Sequence, residues 1–292
     1  MPLLDPEYFS NWYILTIGDK PRILQNYNES QQYDANNLKL LQADIGNHLI
    51  SISPQYFQID ITSPILIMEA ATPSDKLYDV LDVLMEYLQK IQEPLTTASV
   101  SSFSYVAESA NIQLGVDSSS VNMTLQSWQR VGTGISYAPE NYNFIARQAK
   151  FYDVQFNMFG GDYLINQATL NFSFQNNKSF YVPGYNGIGN TVPLYSINGY
   201  TVTGNVDLLV APCQYDTLRL YNSQSPGIFN AVRQSLSLKI LDRTGGVESD
   251  RTINLGEFMF LPNVALSISP NNIISAKVQF ATMFRRTSEI SF

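Results

Sequence analysis

In two stretches of this chain apolar and polar residues take turns at every second position, and that pattern confines the backbone to extended, pleated strands. In the first, Tyr152, Val154, Phe156 and Met158 are separated by Asp153, Gln155 and Asn157. Gly160 and Gly161 supply a turn, and Ala168, Leu170, Phe172 and Phe174 then alternate with Thr169, Asn171, Ser173 and Gln175. In the second, Val202, Val206, Leu208 and Val210 oppose Thr203, Asn205 and Asp207. A period of two sends successive side chains to opposite faces, so one face seeks a core and the other stays polar. The spacing predicts a long hairpin over 151–175 and a strand over 202–210. Shorter runs of the same kind fall at Phe57, Ile59, Ile61 and at Val121, Met123, Leu125, and strands are expected over 235–241, 252–261, 264–269 and 274–284. The fold class this implies is mainly β: an antiparallel β-sandwich or barrel-forming subunit.

One segment breaks the pattern. Leu77, Val80, Leu81, Leu84, Met85, Leu88 and Ile91 recur at spacings of three and four, which predicts one amphipathic helix over 74–92 packed on a sheet. Pro73 precedes it, Ser74 is the expected cap and Pro94 lies past its end. Asp75, Asp79, Asp82 and Glu86 read as its solvated acidic side. Asp5, Pro6 and Glu7 read as a short helix start. The polar run 25–37 reads as a loop or arm. The stretch 176–200 is Gly- and Pro-rich and nearly uncharged, which reads as a long loop made for contact. Phe180, Tyr181, Tyr185, Tyr195 and Tyr200 are its candidate inter-subunit residues. Asp242 to Gly246 reads as a solvated hairpin tip, and Ser225-Pro226 as the opening of a short helical turn. No linker divides the chain, so a single domain over 1–292 is expected; a shift in charge near 118 marks the edge between an acidic part, 1–117, and a β-rich part, 118–292.

Chemistry is sparse. His48 is the single histidine and Cys213 the single cysteine. Hydrolytic triads and zinc sites need a histidine with specific partners, which one His and one Cys do not supply. Cys213, at a strand end, reads as a buried or edge-packed thiol. Gly184 to Gly189 carries glycines near phosphate-loop spacing but has no Lys and no strand–helix context. Asp242, Glu248 and Asp250 lack the spacing of a calcium loop. No cofactor, metal site or catalytic residue is expected, and the chain does not read as an enzyme.

Charged residues make up only 14% of the chain, against about 25% in an average soluble domain, and 18 Tyr and 16 Phe stand beside abundant Asn, Gln, Ser and Thr. Such a surface suits burial against copies of itself. The net charge is −8, and Arg285-Arg286 is the one adjacent basic pair, so no phosphate-gripping patch is present. Residues 1–10 lack the pattern of a secretory leader, and no apolar run reaches the roughly 18 residues of a membrane span.

The polar sides of the strands carry the sharpest information. They comprise Gln58, Asp60, Thr62; Asn122, Thr124, Gln126; Asp153, Gln155, Asn157; Thr169, Asn171, Ser173, Gln175; and Thr203, Asn205, Asp207. Of these sixteen positions three are Asp, thirteen are neutral and none is Lys or Arg. An ordinary solvent face mixes both signs of charge. A neutral, wet face that does not hold polyanions is what the lumen of a DNA conduit requires. An Asn-rich chain that fills its outer faces with amides would show the same composition. Asp60, Asn122, Asp153, Gln155, Asn157, Asn171, Asn205 and Asp207 are the candidate lumen-facing residues.

From about 150 onward the order of four pieces resembles the tail tube proteins of tailed bacteriophages: YDVQFNMFGGDYLINQATLNFSFQ, GYTVTGNVDLLV, LGEFMFLPNVALSIS and IISAKVQFATMF. The resemblance is one of pattern and order and covers about half of the chain. It implies a β-sandwich-like subunit with a packed helix, and hexameric rings whose sheets join into one barrel. It also implies stacking through the loop 176–200 and the segment 25–37. The partners it implies are further copies of the chain, a sheath, baseplate and tail terminator proteins. DNA would be non-specific cargo in the lumen, and the place of assembly the host cytoplasm. Two other classes are compatible with the residues: a single-ring adaptor or other virion component, and a carbohydrate-binding β-sandwich using the loop tyrosines.

Overall fold

The computed structural model describes residues 13–17, 20–33, 55–69, 78–92, 105–116, 118–127, 132–137, 145–158, 160–181, 192–223, 232–241, 250–268 and 274–285. They form β1 (Tyr13–Ile17), β2 (Lys20–Leu24), β3 (Asn26–Tyr33), β4 (Gln55–Pro64), β5 (Leu66–Glu69), α1 (Val80–Gln92), β6 (Val106–Leu114) and β7 (Ser119–Ser127). Then follow β8 (Gly132–Tyr137), β9 (Ile145–Gln148), β10 (Val154–Met158), β11 (Gly161–Tyr181), β12 (Val192–Val210), α2 (Pro212–Ser223), β13 (Val232–Ile240), β14 (Arg251–Ser267) and β15 (Ile274–Arg285). The fold is mainly β, and among the described residues every pairing between two of these strands is antiparallel.

The main sheet runs β10-β13-β14-β15-β12-β11-β6-β7-β4-β3, and β10 also pairs with β11. That extra pairing closes β10, β13, β14, β15, β12 and β11 into a barrel, with β6, β7, β4 and β3 extending from β11 as a wing. One edge of β11 serves both: Leu164 pairs with Gln155 of β10, while Ala168 to Ser173 pair with β6. The bulge between Ile165 and Gln167 falls between the two pairings, where one extra residue re-aims the strand. Two small sheets, β2-β1-β8 and β5-β9, complete the described strands.

Side chains fill the barrel, as a ring of this size requires. Phe156 and Phe280 face each other at 5.5 Å between ring centroids, among Val206, Leu208, Leu238 and Ile253. Gly204 makes room for this packing, because a Cβ there would stand 2.3 Å from the Phe280 ring and 2.9 Å from Leu170. The inner side of the wing is covered by α1, which lies against β2, β4, β7 and β12 and buries Leu81, Leu84, Leu88 and Ile91. The predicted apolar stripe is therefore the packing face, as its spacing required.

Several expectations need correction. Within the run 25–37, Asn26–Tyr33 are not a loop but form β3 and pair with β4 from Asn26↔Thr62 to Tyr33↔Gln55; residues 34–37 lie outside the described residues. The helix begins at Val80, because Tyr78 is held in a bridge to Arg22, with Ile23 N donating to Tyr78 O at 2.8 Å. Ser74 lies outside the described residues, and the cap is Asp79. In the stretch 176–200, residues 176–181 and 192–200 are strand rather than loop, β11 and β12 staying paired out to Tyr181↔Val192, and 182–191 lie outside the described residues. The shift near 118 falls at the tip of the β6–β7 hairpin, inside one sheet. A second helix, α2, went unanticipated. Its start has a readable signature: Pro212 in the first turn, and Gln214 Oε1 accepting from Ala211 N at 3.0 Å. Cys213, in that first turn, is exposed rather than packed. His48, Tyr185, Asp5 to Glu7, Asp242 to Gly246 and Ser225-Pro226 lie outside the described residues.

Candidate functional surface

The face of the wing opposite α1, continued onto the barrel by β11 and β12, carries the polar residues in register. In the central row Asn26, Thr62, Asn122, Asn111, Asn171 and Thr203 are successive cross-strand neighbours on β3, β4, β7, β6, β11 and β12. On one side runs Asn28, Asp60, Thr124, Ser109, Ser173 and Thr201. On the other, Ser120, Gln113, Thr169, Asn205 and Gln279 are neighbours. Strands about 4.8 Å apart thus present a flat field of amides and hydroxyls. The groups bond sideways: Asn111 Nδ2 donates to Asn171 Oδ1 at 2.5 Å, Thr124 Oγ1 to Asp60 Oδ1 at 2.7 Å, and Thr62 Oγ1 to Asn122 Oδ1. A shallow groove of about 270 Å³ lies here, edged by Asp60, Ser109, Asn111, Asn122, Thr124 and Asn171.

Of the eight candidate lumen residues, Asp60, Asn122, Asn171, Asn205 and Asp207 share this face. Gln155 and Asn157 sit on β10 outside the barrel, beside Leu164 and Asp162, with Asn157 Nδ2 donating to Asp162 Oδ1 at 2.7 Å. Asp153 does not belong. It is fully buried, ends the 3-10 turn Phe151–Asp153 and accepts from Lys150 N at 3.0 Å. The period-two alternation extends two residues, Tyr152 and Asp153, ahead of the strand it describes, which begins at Val154. The face is also not free of cations: Lys277 stands opposite Asp207 in register, and Arg285 is exposed at the end of β15. The alternation also missed Asn111, Ser109 and Gln113, because β6 carries Glu108 and a bulge between Ala107 and Ser109 that break the count.

Among the inter-subunit candidates, Tyr200 is wholly buried. It stacks on Phe284 at 5.3 Å, accepts from Gln92 Nε2 at 2.9 Å and donates to Asn254 O at 3.1 Å. Tyr200 is a core residue. Phe180, Tyr181 and Tyr195 lie on the paired outer strands, at Phe180↔Pro193, Tyr181↔Val192 and Lys178↔Tyr195.

Of the acidic residues expected on the solvated side of α1, Asp79, Asp82 and Glu86 form ion pairs instead, and Asp75 lies outside the described residues. Asp79, almost fully buried, accepts from Asp82 N at 3.1 Å and from Leu66 N at 2.9 Å, and Asp79 N in turn donates to Asp82 Oδ2 at 3.1 Å. Arg251, at the start of β14, reaches both oxygens of Asp79 at 3.0 and 2.9 Å, lies 3.5 Å from Asp82, and donates to Leu66 O. Further along, Glu86 takes Lys20 at 2.5 Å and Arg22 at 2.9 Å. Burial alone would raise the Glu86 carboxyl, but the Lys20 hydrogen bond and the Arg22 charge outweigh it and hold it low. Burial, and the neighbouring Asp79 charge, push Asp82 up to about 6 against the pull of Arg251.

A folded-state value above the unfolded one means that the native state holds the extra proton. Asp82 therefore favours folding most below about pH 4, and that contribution is lost as pH rises through about 6, on the order of 3 kcal/mol. Asp82→Asn is expected to be at least as stable as the parent at pH 7.5. Its advantage should shrink toward zero by pH 4, measured as the difference in Tm between the two proteins. A difference independent of pH would show that Asp82 does not titrate in this window.

Among the described residues no helix is long and apolar enough to cross a membrane, and no cluster of three His, Cys, Asp or Glu side chains is placed to hold a metal. No protein-family model matches the chain, and no curated protein is significantly similar to it in sequence.

Proposed function

We propose that this chain is a structural virion protein, the subunit of a phage-type tail tube. Copies associate side by side into rings, hexameric as the resemblance implies, and the rings stack around a bore through which DNA passes. The observation that carries this reading is the central row Asn26, Thr62, Asn122, Asn111, Asn171 and Thr203, six strands wide without a charge. DNA binds proteins mainly through phosphate contacts that release counterions, so a wall that lets it slide must be wet and free of unpaired cations. Amides and hydroxyls bonded to each other meet that need, and the flanking Asp60 adds repulsion. The exposed cations Lys277 and Arg285 stand on β15, beyond the end of the row at Thr203. The low charge elsewhere favours burial between copies. On this reading the protein is not an enzyme and needs no cofactor. Its partners are further copies, then sheath, baseplate and tail terminator proteins, and it assembles in the host cytoplasm.

Negative-stain electron microscopy of the purified protein over a concentration series tests the reading. Hollow filaments about 100 Å across are expected, a width set by a ring of domains of this size. Monodisperse monomers at every concentration would overturn it, and closed rings that never stack would assign the chain to a single-ring adaptor instead.

A further inference from the structure

Beyond the sheet, β11 and β12 continue as a two-stranded ribbon. Pairing of β12 with β15 starts at Gly199↔Arg285, and pairing of β11 with β6 stops at Ser173↔Ser109. Past that line Asn177 to Tyr181 pair with Val192 to Ser196 and, among the described residues, with no other strand. Five residues of strand reach about 17 Å. A two-stranded ribbon alone is marginal in water, so its direction has to be set from its base.

The base has three unusual features at one level. The register slips between Gln175 and Asn176, where Gln175 opposes Gly199 but Asn176 opposes Ile197, leaving Asn198 as an extra residue. Such a bulge bends a strand and increases its twist. Gly199 packs so closely that a Cβ would stand 2.1 Å from the Phe284 carbonyl oxygen, so the last three-stranded position is fixed against β15. Asn176, on the ribbon side of the slip, is tied to two other elements. Its Nδ2 donates to Ala107 O on β6, and its Oδ1 accepts from Tyr87 Oη on α1 at 3.4 Å. Tyr87 is itself buried and held edge-on to Phe174 at 5.0 Å. Gln92, at the end of the same helix, bonds Tyr200 one residue inside the slip.

We propose that the ribbon is an arm hinged at the Asn176–Asn198 bulge, and that α1 sets its angle through Tyr87 and the side chain of Asn176. Asn176 is thus a positioning residue, and the helix is the buttress of an element that projects beyond the sheet. The inference stands on the fold alone; if the chain builds tubes, the arm is the element whose angle meets the next copy.

The test is a spin–spin distance measurement on dilute protein, below any assembly threshold. Labels go on Ser179→Cys in the arm and Asn28→Cys on β3, in a Cys213→Ser background because Cys213 is exposed and would be labelled too. The parent should give one narrow distance distribution. Asn176→Ala should broaden it at least twofold and shift its centre. Asn176→Asp, which keeps the acceptor for Tyr87 but loses the donor to Ala107, should fall between. Tyr87→Phe removes one hydroxyl and leaves the packing, so it tests the same clamp if Asn176→Ala folds poorly, and it should broaden the distribution as well. Equal widths in parent and variants, or a parent as broad as Asn176→Ala, would overturn the hinge. Either result is independent of whether filaments form.

Discussion

Arg251→Met is expected to destabilise the fold by about 3–5 kcal/mol at neutral pH, one of the largest single-residue effects this chain should show. The methionine fills most of the volume, so the loss comes from charge. Asp79 has a side chain only 1% exposed, and Arg251 satisfies both its oxygens. Removing the guanidinium leaves Asp79 and Asp82 as two like charges, largely out of water, with Leu66 O also stripped of a donor. Breaking one side of a buried pair costs far more than the pair contributes as a whole. Burial acting alone would lower the Arg251 pKa, but Asp79 and Asp82 outweigh it and hold the group protonated. The deficit should therefore shrink as Asp82 takes up its proton on acidification. Chemical denaturation at pH 7.5 and pH 4.5 measures both values. Arg251→Met combined with Asp79→Asn should lose less than Arg251→Met alone, because one of the stranded charges is gone. A deficit under about 1 kcal/mol at pH 7.5 would mean that water reaches the cluster.

The partners in that cluster show where sequence reading stops. Arg251 and Asp79 are 172 residues apart, and nothing in the pattern around either announces the other. The helix stripe was legible because its period records its own burial. The acidic residues beside it looked solvated because that is the ordinary role of such residues, and only Lys20 and Arg22 of β2, Leu66 of β5 and Arg251 of β14 reaching their side chains reverses it. Ser74 after Pro73 is a sound cap signature, yet Tyr78 bonds to Pro21 and Ile23 and delays the helix to Val80. The strands within 151–175 were legible from alternation, but the long hairpin was not: β10 and β11 pair only from Gln155↔Leu164 to Met158↔Gly161, and Ala168 to Ser173 pair with β6 and β12 instead. Most of the polar face was legible too. Its errors have local causes. Asp153 keeps the period but belongs to a 3-10 turn, and β6 loses the period through a bulge. Tyr200 sits in a Gly-rich run that reads as loop. Gly199 is there for close approach to the Phe284 carbonyl, and Tyr200 beside it enters the core. Which strands neighbour which, and hence that six polar residues from six strands form one row, was not legible at all. Pairing order is set by tertiary closure through β10 and β11.

That row makes the second large effect testable. On the proposed reading, Asn171→Lys or Asn111→Lys should leave folding and filament assembly intact and stop DNA moving through the bore. Asn171 is exposed in the middle of the face, and its neighbours Asn111 and Thr203 are polar, so a lysine there has water and room. The change is small per subunit, but every copy along the tube repeats it. Each cation that meets a phosphate releases a counterion, and log affinity falls with log salt with a slope near −0.9 per contact, so a ring of such contacts binds DNA tightly at low salt. Filaments of the parent should retain little DNA. Filaments of Asn171→Lys should retain it with an affinity that drops by orders of magnitude between about 50 and 200 mM salt. Asn171→Gln, which lengthens the side chain without charge, should behave as the parent. Phage carrying the lysine should adsorb normally and fail to deliver DNA, read as adsorption without genome entry. If Asn171→Lys filaments form but neither retain DNA nor slow its passage, the amide row does not face the bore. If the lysine prevents filaments while the monomer stays folded, the same row is a contact between copies, and the lumen must be sought on the outer side of β10, β13 and β14.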